Sequence, residues 1–207
     1  MGEQIMEVTL IDHTKLSNAV EGGRVCYQSY HLGGNYSTPT DTITQNDQKL
    51  LDRLIHQHGH YSITRHIKYC FAVKGISTKT LLALSRHQIG VDLSVMSSRF
   101  CKLSKFGGNY TKTPNEAVNR LLEHHMQEIE KLATDANPSA EDLAMLYPQA
   151  MHYDLRMTMN PQSLQHFLAM RHGEESHAHF DIQELAAKLL EAVPTTHSFM
   201  YIVKPQC

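Results

Sequence analysis

The chain has 207 residues, 19 Lys and Arg against 21 Asp and Glu, a formal charge of −2 and a pI near 6.7. That length serves one domain, or one domain with a small annex, and can bury a core, and the balanced charge lacks the basic face of a nucleic-acid binder. No apolar run is long enough to span a bilayer, and MGEQIMEVTLIDHT has neither the basic start nor the apolar centre of a signal segment, so the expectation is a cytoplasmic protein with no membrane and no nucleic-acid partner.

From Ile5 to Ile11 apolar and polar residues alternate, with Met6, Val8 and Leu10 on one face, which reads as an opening strand. A short helix follows through Leu16, Ala19 and Val20, and the Gly-, Ser-, Thr- and Pro-rich stretch from His31 to Thr42 reads as a loop. Between Gln45 and His56, Leu50, Leu51, Leu54 and Ile55 fall on one side of a helix. The run from Gly59 to Lys74 divides into a turn around Ser62 and a β-type second half.

The stretch from Ser85 to Leu103 reads S-R-H-Q-I-G-V-D-L-S-V-M-S-S-R-F-C-K-L. A helix-like run enters it (Leu81, Leu82, Leu84, Ile89, Val91) and an extended run from Arg99 to Leu103 leaves it. An Arg-His pair at a helix end, then serines and a second Arg, can surround an oxyanion with hydroxyl and guanidinium donors. The residues alone leave a second reading open, a solvated connection that holds two arginines.

Lys105 to Thr113 reads as a flexible or substrate-covering loop. Thr113-Pro114-Asn115-Glu116 then starts a helix with Thr113 as its cap, and Val118, Leu121, Leu122, Met126, Ile129, Leu132 and Ala133 form its buried stripe. Ser139 to Asp142 opens another helix that Pro148 interrupts or kinks. Asn160 and Pro161 are the cap and first turn of a helix carrying Leu164, Phe167, Leu168 and Arg171, and a last helix runs through Leu185, Leu189, Leu190 and Val193 before a short apolar tail. The cysteines Cys26, Cys70, Cys101 and Cys207 are scattered, which favours reduced thiols. The alternating histidines at 56, 58 and 60 and at 177 and 179 lack acidic or thiolate companions, so no metal site is expected.

Four segments, in order, resemble flavin-dependent thymidylate synthases. Arg24-Val25-Cys26-Tyr27 resembles A-A-R-x-C-Y, and Gly59-His60-Tyr61-Ser62 with His66 resembles G-H-x-S-x-x-E-H. Arg86-His87-Gln88, eight residues and Ser97-Ser98-Arg99-Phe100 resemble R-H-R, seven residues and S-x-R-Y. Asn160 to Arg171, followed by Ser176 to Ile182, resembles N-x-R-x-L-x-N-F-L-x-L-R and a displaced S-H-A-Q-W-E-I. The resemblance implies an α+β fold in a single domain over residues 1–207, with strands in the N-terminal half, helices dominating the C-terminal half, and assembly as a homotetramer. It also implies transfer of a one-carbon unit from methylenetetrahydrofolate to C5 of dUMP, with FAD mediating and NADPH reducing the flavin. The cofactor then carries the chemistry and the protein needs no nucleophile.

Position by position, the resemblance implies that Arg171 is catalytic, touching the pyrimidine ring and stabilising charge on N3 as C5 becomes nucleophilic. It makes Arg86, Ser97, Ser98 and Arg99 contacts to the pyrimidine nucleoside monophosphate, and Ser62, Arg86, His87, Gln88, Asn160, Gln162 and His166 contacts to FAD. The sequence departs from the pattern at Arg65 (Glu in the family), Gln88 and Gln162 (Arg), His166 (Asn), Ala83 (Gln), Ala144 (Arg) and Val95 (Glu). Each lost charged hydrogen bond costs roughly 1.5–3 kcal/mol. The departures leave open relocated contacts, a related flavoenzyme methylating or hydroxymethylating dCMP or UMP, and a non-catalytic nucleotide-binding relative.

Overall fold

The computed structural model describes residues 6–101, 109–173 and 176–202. Ile5, the end of the expected extended run at Lys102 and Leu103, most of the expected loop over the substrate, and Cys207 lie outside the described residues. Four strands, β1 Glu7–His13, β2 Tyr69–Ser77, β3 Val91–Val95 and β4 His152–Met159, form one sheet in the order β1-β2-β4-β3. Bonds flanking the strands give the register. Thr14 N donates to Lys68 O and Thr78 N to Met151 O, each at 2.9 Å, while Met96 N donates to Asp154 O at 2.9 Å and Asn160 N to Gly90 O at 3.3 Å. The pairing numbers fall on one side as they rise on the other, so every neighbouring pair is antiparallel.

The mixed architecture matches the expected α+β class, with two changes in the strands. β4 is an inner strand that the sequence reading does not contain. Its stretch alternates Met151, Tyr153, Leu155, Met157 and Met159 with His152, Asp154, Arg156 and Thr158, a period of two written largely in methionine rather than in β-branched residues. The extended run expected at Arg99 is instead a turn: Ser97 O accepts from Phe100 N at 3.2 Å and from Cys101 N at 3.0 Å. The strand precedes the serines, because Val91, Leu93 and Val95 supply the sheet's alternation.

The helices are α1 Ser17–Tyr27, α2 Gln45–Asp52, α3 Thr78–Leu84, α4 Glu116–Asp135, α5 Ala140–Ala144, α6 Pro161–Arg171 and α7 Phe180–Ala192. Side-chain caps start most of them: Thr44, Ser77, Ser139 and Asn160 each accept from a backbone N–H in the first turn. Asn115, not Thr113, caps α4, because its Oδ1 reaches Ala117 N at 2.9 Å and Val118 N at 3.3 Å. Only Met126 and Ile129 of the expected α4 stripe are buried; Val118, Leu121 and Leu132 are exposed. α5 ends before Pro148 instead of being kinked by it. Among the described residues no helix is long and apolar enough to cross a membrane.

The chain divides into two compact units. One comprises Met1–Glu7, Val73–Arg86 and Leu93–Arg156. Its core gathers Met126 and Ile129 of α4 with Leu143 and Met151, and Tyr110, Tyr147 and Tyr153 pack around them. The other comprises Val8–Ala72, His87–Asp92 and Met157–Cys207. In it the 3-10 turn Tyr61–His66 packs on both α1 and α6, and α6 packs on α7. Its buried residues include Leu16, Val20, Leu51, Leu54, Phe167, Leu168, Leu185 and Leu189. A buried ion pair braces α1 to α2: Arg24 Nε and Nη2 donate to Asp47 Oδ1 at 2.9 and 2.6 Å. Asp47 Oδ2 accepts from Tyr36 Oη, Thr44 Oγ1 and Gly34 N, so the buried carboxylate is saturated.

Candidate active site

The site is built on α6. Asn160 Oδ1 accepts from Ser163 N at 2.9 Å, and Pro161 fills the first helical position, where its missing N–H is harmless. The same end of α6 holds the segment that leads into β3: Ser163 Oγ donates to Ile89 O at 2.6 Å and Asn160 N to Gly90 O. Gly90 has φ of +69°, and a Cβ there would collide with Asn160 Nδ2 and Ser163 Oγ, so the approach requires glycine.

This anchoring lays His87 against α6. Its ring centroid is 5.0 Å from Phe167 and 5.8 Å from His166, both edge-on. Arg171 lies one turn beyond Phe167. Burial first, then the positive charge of Arg171 and the His166 ring, lower the His87 pKa from its ordinary value. His87 is therefore neutral at pH 7, a hydrogen-bonding group rather than a cation. Arg171 Nε is buried with no acceptor. A buried donor without a partner is costly, and a ligand oxygen or nitrogen within reach would satisfy it. Three residues singled out in the sequence, His87, His166 and Arg171, thus come together.

The turn Tyr61–His66 brings a fourth group. Arg65 Nε donates to Gln162 Oε1 at 2.5 Å. At the two positions where the resemblance expects Glu and Arg, the chain carries Arg and Gln, in contact. A guanidinium thus stands beside position 162, supplied by the turn rather than by the helix. Ser62 is exposed on the same turn. The Tyr61 hydroxyl, given no role in the sequence reading, is buried without a partner, and burial raises its pKa. Only its neighbours in the G-H-x-S segment could have flagged it. Asn160 gives its oxygen to the helix cap, leaving its amide NH2 for any ligand, and Gln88 is exposed.

The remaining predicted residues belong to the other unit. Arg86 is exposed beyond the end of α3. Ser97 and Ser98 lie where the chain turns after β3, and Arg99 reaches Glu141 Oε2 at 3.6 Å and sits 5.7 Å from the Phe100 ring centroid. Arg99 is 65% exposed, so this ion pair is loose. Ala144 ends α5, the helix that carries Glu141.

In the α6–α7 connection, Ser176 Oγ accepts from Ala178 N at 3.3 Å and Gln183 Nε2 at 3.2 Å, which folds the displaced segment onto the start of α7. Glu174 and Glu175 lie outside the described residues.

One cluster escaped sequence reasoning altogether. Asp41 Oδ1 accepts from His197 Nε2 and Leu16 N, both at 2.9 Å, and Oδ2 accepts from His13 Nε2 at 2.8 Å and Lys15 Nζ at 2.9 Å. Tyr201 Oη donates to Tyr69 Oη at 2.9 Å, and Tyr69 Oη lies 3.0 Å from His197 Nδ1. The direction Tyr201 to Tyr69 to His197 to Asp41 gives each bond one donor and one acceptor and places the His197 proton on Nε2. Burial pushes the Asp41 carboxyl up, but the bonds from His197, Lys15, Leu16 and His13 outweigh it and hold it well below the usual carboxylate range. The ligand-type atoms of His13, Asp41 and His197 are close enough for a metal ion. The two Nε2 protons face Asp41, however, and the Lys15 ammonium takes the cation's place, so the cluster is a clasp.

The family described as thymidylate synthase complementing protein matches residues 9–197. The flavin-dependent thymidylate synthase of Wolinella succinogenes is 30% identical over 213 residues, spanning 97% of this chain and 100% of the relative. That of Helicobacter pylori is 29% identical and spans 95% and 97%. The crystal structure of Helicobacter pylori ThyX with FAD and dUMP matches with a TM-score of 0.81 at 27% identity, over 95% of this chain and 97% of that one. A UMP/dUMP methylase of Streptomyces cacaoi, bound with 5-Br dUMP, shares the fold at TM-score 0.73 and 19% identity, over 95% and 94%.

Proposed function

The chain belongs to the flavin-dependent thymidylate synthase family, and we propose that it transfers a one-carbon unit from methylenetetrahydrofolate to C5 of dUMP, using FAD and NADPH. A single domain over residues 1–207, the homotetramer and the cytoplasmic setting belong to the same reading. The observation that carries it is the cluster on α6, where Arg171 Nε is buried without an acceptor beside a neutral His87.

FAD, when bound, supplies the electron transfer that completes the new methyl group. The protein's part is to bind, orient and polarise. Arg171 offers a fixed charge and an unoccupied N–H to the pyrimidine N3 and its neighbouring carbonyl, where negative charge grows as C5 attacks. Ser97, Ser98 and Arg99 are the phosphate donors, joined by Arg86; Arg99 can exchange its loose contact with Glu141 for a dianion. His166 and the neutral His87 border the flavin, with Gln88 and the Asn160 amide as further donors. Ser62 and Arg65, held by Gln162, present a hydroxyl and a guanidinium from one turn.

The test is direct. Purified protein is expected to be yellow and to release tritium from C5-labelled dUMP when methylenetetrahydrofolate and NADPH are supplied. Release from dCMP or UMP but not dUMP would change the nucleotide. A colourless protein that FAD does not reconstitute would overturn the flavoenzyme reading.

A further inference from the structure

A cavity of about 260 Å³ opens where α1, the 3-10 turn Tyr30–Leu32 and α2 meet, lined by Arg24, Leu32, Asn46, Lys49, Leu50 and Arg53. Asn46, Lys49, Leu50 and Arg53 recur at i, i+3, i+4 and i+7, a single stripe along α2 and the π turn Arg53–Gln57 that continues it. Leu32 and Leu50 supply apolar surface. Among the described residues no carboxylate lines the cavity.

The charges there do not cancel. Arg24 is matched by Asp47, and every bond given to that carboxylate comes from Arg24, Tyr36, Thr44 or Gly34. Lys49 and Arg53 make no ion pair among the described residues. Like charges four residues apart repel on a helix, so two unmatched cations face one concave surface at some expense to the helix. None of the six lining residues is among those assigned to the nucleotide or the flavin.

We propose that this cavity binds the phosphate monoester of a small molecule. A phosphate monoester carries about −1.5 to −2 at neutral pH, which matches Lys49 and Arg53 together, whereas a carboxylate would leave one cation unpaired. The Asn46 carboxamide adds a neutral donor, and the buried Arg24 guanidinium stiffens the wall behind. The volume is below the roughly 300–1,000 Å³ of sites that enclose a whole drug-sized ligand. The cavity therefore takes the phosphate end and leaves the rest of the molecule outside. Free phosphate and the ribose 2′-phosphate of a dinucleotide share this chemistry.

Equilibrium dialysis of labelled inorganic phosphate at fixed ionic strength tests the site on the full-length protein. One saturable site per chain is expected to weaken about ten-fold in Lys49→Gln and in Arg53→Gln, and about a hundred-fold in the double variant. The same site is expected to persist in Arg99→Gln, which removes a nucleotide-phosphate contact, so the two readings fail separately. Both cavity cations are exposed, and unchanged circular-dichroism melting of the variants shows that the fold is retained. Displacement of phosphate by NADPH but not NADH identifies the dinucleotide as the source; displacement by neither identifies free phosphate. Unchanged phosphate binding in Lys49→Gln/Arg53→Gln overturns the proposal.

Discussion

His197 donates from Nε2 to Asp41 Oδ1 at 2.9 Å across 156 residues of chain. The histidine is fully buried and the carboxylate is 21% exposed. Through Asp41 the 3-10 turn Thr195–Met200 is tied to the end of β1 and the start of α1, since His13, Lys15 and Leu16 bond the same carboxylate. His197→Ala and Asp41→Ala each leave buried or half-buried donors without acceptors, or the reverse. Each is expected to lower unfolding free energy by about 2–3 kcal/mol, measured by chemical denaturation at pH 7.5. A loss under about 0.5 kcal/mol in both would mean the clasp is dispensable.

The same clasp sets an acid limit. Burial lowers the His197 pKa despite Asp41, and the Asp41 carboxyl is lowered by its bonds. Both groups therefore bind protons more weakly folded than unfolded, so their stabilisation is complete above the unfolded values and is lost as pH falls. The His197 share starts to go below about pH 6.5, and the Asp41 share below about pH 4. Asp47 shifts in the same direction. Stability measured from pH 7.5 to 3 is expected to fall in these two stages, and Asp41→Asn should flatten the lower stage in part, leaving the Asp47 share.

Arg171→Ala is expected to lower kcat by about 10²–10³-fold, the usual size for one electrostatic donor in a reaction site, while flavin absorbance per chain changes little. The substitution also removes a positive neighbour that depresses His87. The His87 pKa, followed by NMR titration, should therefore rise. Parent-like turnover would exclude the catalytic role; an unmoved His87 would exclude the proximity.

How much of this was legible depends on how local the signal was. Asn160, Pro161 and the spacing of Leu164, Phe167 and Leu168 agree within eleven residues, and α6 forms as they predict. The resemblance singled out His87, His166 and Arg171, yet nothing in their spacing reveals that His87 packs edge-on to Phe167; that follows from Gly90 fitting under Asn160 and Ser163. β4 hid behind its methionines. The α4 periodicity correctly marked an amphipathic helix, but period alone does not say what covers each position: Met126 and Ile129 are buried with Leu143 and Met151 and Ala133 packs against them, while Val118, Leu121 and Leu132 stay exposed. His13, Asp41 and His197 are single polar residues in three unrelated segments, so their meeting leaves no pattern to read.

The exchange at Arg65 and Gln162 gives the sharpest test of the flavin site. If Arg65 has taken over the cation that the family carries at 162, Arg65→Gln should weaken FAD retention by about ten-fold or more, the cost of a charged hydrogen bond. Restoring the family arrangement in Arg65→Glu/Gln162→Arg should recover most of it, although Arg65→Glu alone should be the worst variant, with an acid beside an unprotonatable amide. The two residues touch, so their effects should be strongly non-additive in a double-mutant cycle. FAD content of the purified protein and its dissociation constant by fluorescence quenching are the readouts. Additive losses in the cycle would show that Arg65 and Gln162 act separately and that the guanidinium has not been relocated for the flavin.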